Sequence, residues 1–355
     1  MKKAHIFIAL LFTASFVFAG SGCVLPWVVS GDDGGQNDDG GTTPPDIPPP
    51  SSSDVRLVFA GDVMMARKVE TSVSTNGGGN YSFLFAKIAS YMQSADIAFA
   101  NLESAITDKG SARSLSQVLQ GISFRAKPAA INGLLSAGID IVSMANNHTL
   151  DYNVAGMSDC INRLKAAGIQ YVGAGLTFND AYAARIFTVK NTRIAYLAYT
   201  LVGVELKDRA QKDEPLDGLK PQSGVAWYYS KYVDPAIRAA RSQADLIVVS
   251  IHYGTDYSVD SSTTDPSHEQ DRFAYLALDE GADIVIGHHT HITQPVMVHI
   301  KKYLAYSLGN CVFDQSATLT KQGMLLEVTV RDRKIAEVVE RKIQINQYYQ
   351  PELVN

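Results

Sequence analysis

The sequence predicts an α/β protein, and three observations carry that expectation. Short, nearly continuous apolar runs recur along the chain, at Val55 to Phe59, Ile97 to Ala100, Ile139 to Met144, Leu246 to Ile251 and Ile284 to Ile286. Runs without polar alternation are how strands covered on both faces read. Between them, apolar residues repeat at helical spacing: Leu84, Ile88, Tyr91 and Met92; Ile131, Leu134 and Leu135; Ile161 and Leu164; Ile237 and Ala240. Finally, the runs end abruptly in polar groups, and in open α/β sheets ligands bind beyond the carboxyl ends of the strands.

The chain has 355 residues, 46% hydrophobic and 19% charged, which suits one large layered domain as well as two smaller ones. The formal net charge is −5 with no basic stretch, so nucleic acid is not expected as a partner. The first 22 residues read as a signal peptide: Lys2 and Lys3, then an apolar run from Ile6 to Ala19. That run is shorter than the roughly 20 residues a membrane span needs. Gly20-Ser21-Gly22-Cys23 follows and resembles a bacterial lipobox, with Cys23 as the lipidated first residue of an exported protein. Gly20 stands where such signals usually carry Leu, and simple cleavage near Ser21 is the competing reading. Residues 23–54 form a tether rich in Gly, Pro, Ser and Asp, expected to be disordered because it has almost nothing apolar to bury. Residues 55–355 form the folded domain. Cys160 and Cys311 remain, too few and too far apart in sequence to define a disulfide framework.

Taken in order, Val55 to Phe59 is a strand with Asp62 just past its end. Phe83 to Gln93 reads as a helix. The strand Ile97 to Ala100 leads to Asn101-Leu102-Glu103. Pro128 starts a helix that Gly138 closes. The next strand runs into Asn146-Asn147-His148, with Asp151 three residues on and placed to orient His148. Asn146 reads as a turn residue, and Asn153 as a left-handed residue opening a helix. Leu201 to Gly224 is a long polar loop of lid type. Leu246 to Ile251 ends in His252, and a helix from about Asp271 to Glu280 leads into Asp283 to Pro295, read DIVIGHHTHITQP. His289 and His291 lie one residue apart, so their rings can converge on one point; His288 is expected to face away or support the turn. Tyr303 to Ser307 ends near Asn310, a group expected to support its neighbours. Gly323 to Val330 and Ile335 to Val339 alternate as antiparallel strands do. Arg67 and Arg125 could each bind an anion or pair with an acid.

Asp62, Glu103, Asn147, His148, His252, His289 and His291 thus each follow an apolar run. Carboxylate, amide oxygen and imidazole suit manganese, zinc, iron or magnesium, and not copper(I) or iron–sulfur clusters, which want thiolates.

The order resembles the calcineurin-like metallophosphoesterases. More closely, GDVMMAR, ANLESAIT, MANNHTLDY, IHYGTDY, GADIVIGHHTHITQP and YSLGNCVFD, spread over about residues 55 to 315, resemble the CapA family of poly-γ-glutamate capsule biosynthesis. The resemblance implies a four-layer α/β/β/α sandwich, export to the cell surface and a site holding one or two divalent ions. By position, Asp62 and His291 would hold the first ion, Glu103 would stand where the phosphoesterases put a bridging Asp, and Asn147, His252 and His289 would hold the second. His148 would be the catalytic acid and Asp151 its orienting partner, with Arg67 a candidate substrate contact. The phosphoesterases usually have His where Met64 stands, and the capsule family usually has Trp, Glu and Phe where Tyr253, Asp256 and Cys311 stand. The implied activity is metal-dependent hydrolysis of a phosphoester in capsule or envelope metabolism. The alternatives are a non-hydrolytic component of a polyglutamate synthesis and export assembly that binds the anionic polymer, or attack at an amide bond of that polymer.

Overall fold

The computed structural model describes residues 53–203, 209–210, 223–258, 260–262 and 264–354. The signal segment, Cys23 and nearly all of the tether lie outside the described residues, as does most of the loop from Leu201 to Gly224.

Along the chain, strand β1 (Val55–Val63) precedes helices α1 (Arg67–Asn76), α2 (Ser82–Phe85) and α3 (Ala89–Gln93), then β2 (Ile97–Leu102) and β3 (Ala105–Ile106). Helix α4 (Leu115–Leu119) and β4 (Arg125–Ala126) lead to α5 (Ile131–Ala137), β5 (Ile141–Ser143) and α6 (Asn153–Ala166). Next come β6 (Gln170–Val172), β7 (Ala174–Gly175), α7 (Phe178–Tyr182), β8 (Arg185–Val189), β9 (Thr192–Thr200) and β10 (Gly224–Val225). Helix α8 (Ser230–Arg241), β11 (Leu246–His252), α9 (His268–Asp279) and β12 (Ile284–His288) follow. The chain ends with β13 (Thr293–His299), β14 (Lys302–Leu308), β15 (Asn310–Val312), β16 (Gln322–Arg331), β17 (Lys334–Ile345) and β18 (Pro351–Leu353).

Two large sheets dominate this mixed α/β arrangement. The first has the order β18-β17-β16-β1-β2-β5-β6, with β15 also pairing β1; the second runs β13-β14-β12-β11-β9-β8. In the first sheet β1, β2, β5 and β6 are parallel up to the β6 edge, and the β16 side is antiparallel; in the second, parallel β9, β11, β12 and β14 are flanked by antiparallel β8 and β13. Phe59 and Phe99 of the first sheet meet Tyr196 of the second at ring separations of 6.4 and 6.0 Å, inside one apolar core. A second apolar cluster packs Val233 and Ile237 of α8 and Ala274, Ala277 and Leu278 of α9 against Ile247, Val249 and Ile251 of β11. Pro49–Asn355 forms one compact unit. Among the described residues no helix is long and apolar enough to cross a membrane.

Helix starts and stops follow local chemistry. A capping box of Ser267 and Gln270 opens α9, and Gly138, at φ 73°, closes α5. Asn153 is left-handed at φ 58°. Phe83 to Gln93 departs from the expected single helix. The chain breaks at Ile88 (φ −122°, ψ −4°), which lets Leu84, Phe85, Ile88 and Met92 all be buried. Cys160 and Cys311 are both free and buried, and burial pushes each thiol up to about 12.

Candidate metal centre

The first difference from the sequence reading lies at Asp62. It is not past a strand end but inside β1, which continues to Val63 because β15 pairs with it beyond the last rung of β16. That close approach needs Gly61: a Cβ there would lie 1.9 Å from the Gly309 carbonyl oxygen. The Asp62 N–H donates to the same oxygen at 3.0 Å, so the backbone carrying this carboxylate is fixed.

Glu103 follows β2 directly, His252 is the last residue of β11, and His289 and His291 follow β12. Asn147 and His148 come after β5. His289 and His291 hold left-handed backbones at φ 93° and 60°, and their ring centroids lie 6.0 Å apart. Two overlapping groups result: Glu103, His252 and His289, and Asp62, Glu103 and His291, with the ligand atoms of each within 4.8 Å of one another. Glu103 belongs to both. Asn147 Oδ1 lies 2.8 Å from His252 Nε2 and so adjoins the first group.

Asn101 is the residue that sequence reasoning passed over. Its amide donates to Asp62 Oδ1 at 2.8 Å and to Glu103 Oε2 at 3.3 Å, and lies 3.4 Å from His252 Nδ1. Asn146, read as a turn residue, does accept from the His148 N–H, but it also donates to Asn101 Oδ1 at 3.1 Å. A signal for Asn101 existed: it sits two residues before Glu103, on the same face of an extended chain. Asp256 is a further carboxylate at the site, with Oδ2 3.7 Å from His291 Nε2. Asn310 acts as the supporting group expected, with Oδ1 2.9 Å from His291 Nδ1. His288 does not face away. Its fully buried ring turns inward because β12 is covered on both faces, and Nδ1 stands 3.2 Å from Asp62 Oδ1.

His148 Nδ1 lies 2.8 Å from Asp151 Oδ2, and its ring stacks on Phe124 at 3.8 Å. Asp151 also accepts the Phe124 N–H through the same carboxylate oxygen, at 2.7 Å, and the Arg113 N–H through its carbonyl. Arg67 hydrogen-bonds the Gly121 carbonyl at 2.6 Å, pairs with Asp314 and lies over the Phe124 ring at 4.4 Å. Of its two sequence readings, the structure displays the pairing with an acid. Arg125 likewise donates to the Gly110 carbonyl at 2.7 Å and lies over Tyr152. A cavity of about 550 Å³ opens onto His148, Asn147, His289 and His291.

The charges are strongly interdependent. Burial works against the ionised form of Asp62, but His288 and His291 outweigh it and hold the carboxyl well below its usual range. Burial, and then the neighbouring Asp62, push Glu103 well above the ordinary carboxylate range. Burial favours neutral His291, yet Glu103 and Asp62 raise it to about 10. Burial and the charge of His291 lower His289 to about 4, while burial and His289 lower His252.

These residues fit a divalent cation. Glu103 Oε1 and His289 Nδ1 are buried with no hydrogen-bond partner among the described residues, a costly condition that a bound ion removes. The nitrogen and oxygen donors match borderline and hard metals. Met64 stands aside: its buried Sδ accepts the Ala66 N–H at 3.1 Å.

Fold and site together define a mixed α/β protein with a buried cluster of carboxylates and imidazoles near converging strand ends, grouped as ligands that could hold a metal ion. Residues 56–315 match the model of the bacterial capsule synthesis protein family (PGA_cap), and the chain belongs to that family. It is 32% identical over 292 residues to the capsule biosynthesis protein CapA of Bacillus anthracis, covering 81% of this chain and 67% of that one. It is 30% identical over 270 residues to the PGA biosynthesis protein CapA of Bacillus subtilis (strain 168), covering 76% and 66%. The chain therefore spans about two thirds of the length of these curated relatives. A crystal structure of a hypothetical protein from Thermus thermophilus is similar over 82% of this chain and 99% of that one, at 14% identity and a TM-score of 0.45.

Proposed function

We propose that the protein is an exported CapA-like component of capsule or cell-envelope polymer metabolism, held at the membrane through Cys23 and its tether, with a metal-dependent phosphoesterase-like site. The domain from residue 55 onward would have the four-layer α/β/β/α build of that class; the shared core of the two sheets and the packing of α8 and α9 on the second sheet support it. The observation that carries the functional reading is Glu103, a buried carboxylate common to two ligand groups, with one oxygen left unpartnered.

Asp62, Glu103 and His291 would hold one divalent ion, and Glu103, Asn147, His252 and His289 another; manganese, zinc, iron and magnesium are the candidates. Such ions acidify water and stabilise charge developing on phosphoryl oxygens. Asn101 fixes the two carboxylates relative to each other. Asp151 orients the His148 ring by accepting from Nδ1, and in the imidazolium form Nε2, 3.1 Å from the Asn147 amide nitrogen, would give its proton to a leaving oxygen. Phe124 shields one face of that imidazole from water.

His252→Ala and His289→Ala are expected to remove bound metal and manganese-supported hydrolysis of bis(4-nitrophenyl) phosphate together. Wild-type turnover by either variant would sink the reading. A second reading has support in Met64, which occupies the position two residues after Asp62 where the phosphoesterases usually carry His: a non-hydrolytic, metal-containing part of a polyglutamate synthesis and export assembly that binds polymer. Stoichiometric metal with no hydrolysis of any phosphoester would favour it.

A further inference from the structure

Asp62, Glu103 and His291 give the first ion position three side chains, fewer than a divalent cation takes from protein and water together. Met64 adds nothing, because its sulfur accepts the Ala66 N–H. The neighbours of His291 decide which of its nitrogens can ligate. Nδ1 lies 2.9 Å from Asn310 Oδ1 and 3.2 Å from Asp62 Oδ2, both acceptors. In the neutral ring Nδ1 therefore carries the proton, and Nε2 carries the lone pair. Two carboxylate oxygens face Nε2, each at 3.7 Å: Glu103 Oε1 and Asp256 Oδ2. Donors about 2.0–2.2 Å from a shared ion stand about 3–4 Å apart.

The fold holds Asp256 beside His291. It lies in the turn after β11, four residues beyond His252, and this turn is strapped to the one that carries the other histidines. The Tyr253 N–H donates to the His288 carbonyl at 3.2 Å, and the Tyr257 N–H to the Thr290 carbonyl at 3.1 Å. Gly254, at φ 88°, permits the close packing: a Cβ there would lie 2.8 Å from Gln270 Cδ and 3.0 Å from Thr290 Cγ2. The Ser258 N–H occupies Asp256 Oδ1 at 2.7 Å. Oδ2 accepts no hydrogen bond among the described residues, and it is the oxygen near His291. Asp256 borders the same cavity as His148 and His289. Glu103 and Asp256 do not share a ligand group as they stand. The Asp256 side chain, 22% exposed against 3% for His291, is the one with room to close on an ion.

We propose that Asp256 is a further ligand of the ion held by Asp62, Glu103 and His291, completing a set of three carboxylates and one imidazole. This rests on the metal-dependent reading above and adds a residue to it. Carboxylate-rich sets suit manganese or magnesium, whereas paired imidazoles such as His252 and His289 suit zinc or iron. Asp256 thereby makes the first position the harder of the two.

The test strips the full-length chain with chelator and titrates it with manganese by calorimetry. Asp256→Asn keeps the shape and removes the charge. It should weaken one manganese-binding event about tenfold or more, since the charge of the ligands tunes the affinity of a hard cation. Asp256→Cys separates direct ligation from an effect through His291. A thiolate bound to cobalt(II) adds a charge-transfer band in the near ultraviolet. Cobalt-loaded Asp256→Cys should show that band, and cobalt-loaded wild type, which has Cys23, Cys160 and Cys311, should not. Unchanged manganese binding by Asp256→Asn overturns the proposal, and so does weakened binding with no band in Asp256→Cys. In both cases wild type still binds manganese, and the phosphoesterase-like reading stands. Wild type that binds neither manganese nor cobalt removes both.

Discussion

Glu103 and His291 illustrate how single side chains set the behaviour of the site. Without metal, burial and then Asp62 shift Glu103 toward its protonated form, and the two carboxylates, against burial, raise His291 to about 10, so that the imidazole holds its proton at neutral pH. A metal ion needs the carboxylate ionised and the imidazole neutral. Binding is therefore expected to release protons, and affinity to rise steadily between about pH 5 and 9. Calorimetry in two buffers of different ionisation enthalpy measures the release; a buffer-independent heat contradicts it. Asp151 makes a separate prediction. Asp151→Asn should leave metal content intact and lower kcat by about 10- to 100-fold, the usual cost of losing the partner that orients a working imidazole. Loss of metal in that variant would instead make Asp151 part of the ion site. At this scale the sequence displayed every charged ligand candidate, because each directly follows an apolar run. It did not display Asn101, since an amide beside a strand end looks like turn chemistry until the strand's face is known. Nor did it show which way His288 turns, which depends on what covers β12.

Elements decide whether these side chains meet. β1 must run on alongside β15 for Asp62 to reach His291, and Gly61 is what permits it. Gly61→Ala would drive a methyl group into the Gly309 carbonyl oxygen, 1.9 Å away. Overpacking of this kind costs about 1–3 kcal/mol, and here it also displaces the Asp62 carboxylate. Chemical denaturation should show the loss, and metal affinity should fall in parallel; an unchanged affinity would mean that Asp62 is positioned by its side-chain partners alone. Helices α5, α6, α8 and α9 were legible from apolar spacing and from Pro128, Gly138 and Asn153, whereas the short α7 was not. The break at Ile88 was not, because apolar residues at helical spacing are compatible with either one helix or two short ones that bury the same side chains.

Across the whole molecule, the recurring apolar runs were enough to foretell parallel strands, but not which strands are neighbours. Strand order joins residues far apart in sequence, such as β1 with β15 and β16, and periodicity carries no information about it. The cluster's histidines make stability of the metal-free protein depend on pH. His289 falls to about 4 from its ordinary 6.5, and His252 is lowered as well. Between pH 6.5 and 4 the unfolded chain binds protons that these buried rings refuse, so stability drops as pH falls. His291, raised to about 10, acts in the opposite sense: its contribution is complete below pH 6.5 and is lost as pH climbs toward 10. From these groups, stability of chelator-treated protein is expected to peak near neutrality, and urea unfolding at pH 5, 6.5 and 8.5 measures it; a flat or steadily rising profile would refute the assignment. Added metal should raise stability in proportion to RT ln(1 + [L]/Kd).

Cys160 and Cys311 carry a consequence of another kind. A thiol kept protonated to about pH 12 and sealed from solvent has no thiolate with which to attack a disulfide. While the domain is folded, these two thiols are inert to oxidants such as glutathione disulfide; once it unfolds, both become ordinary, reactive sulfurs. Denaturation under oxidising conditions would then be captured covalently, whereas the same excursion under reducing conditions would leave no chemical trace.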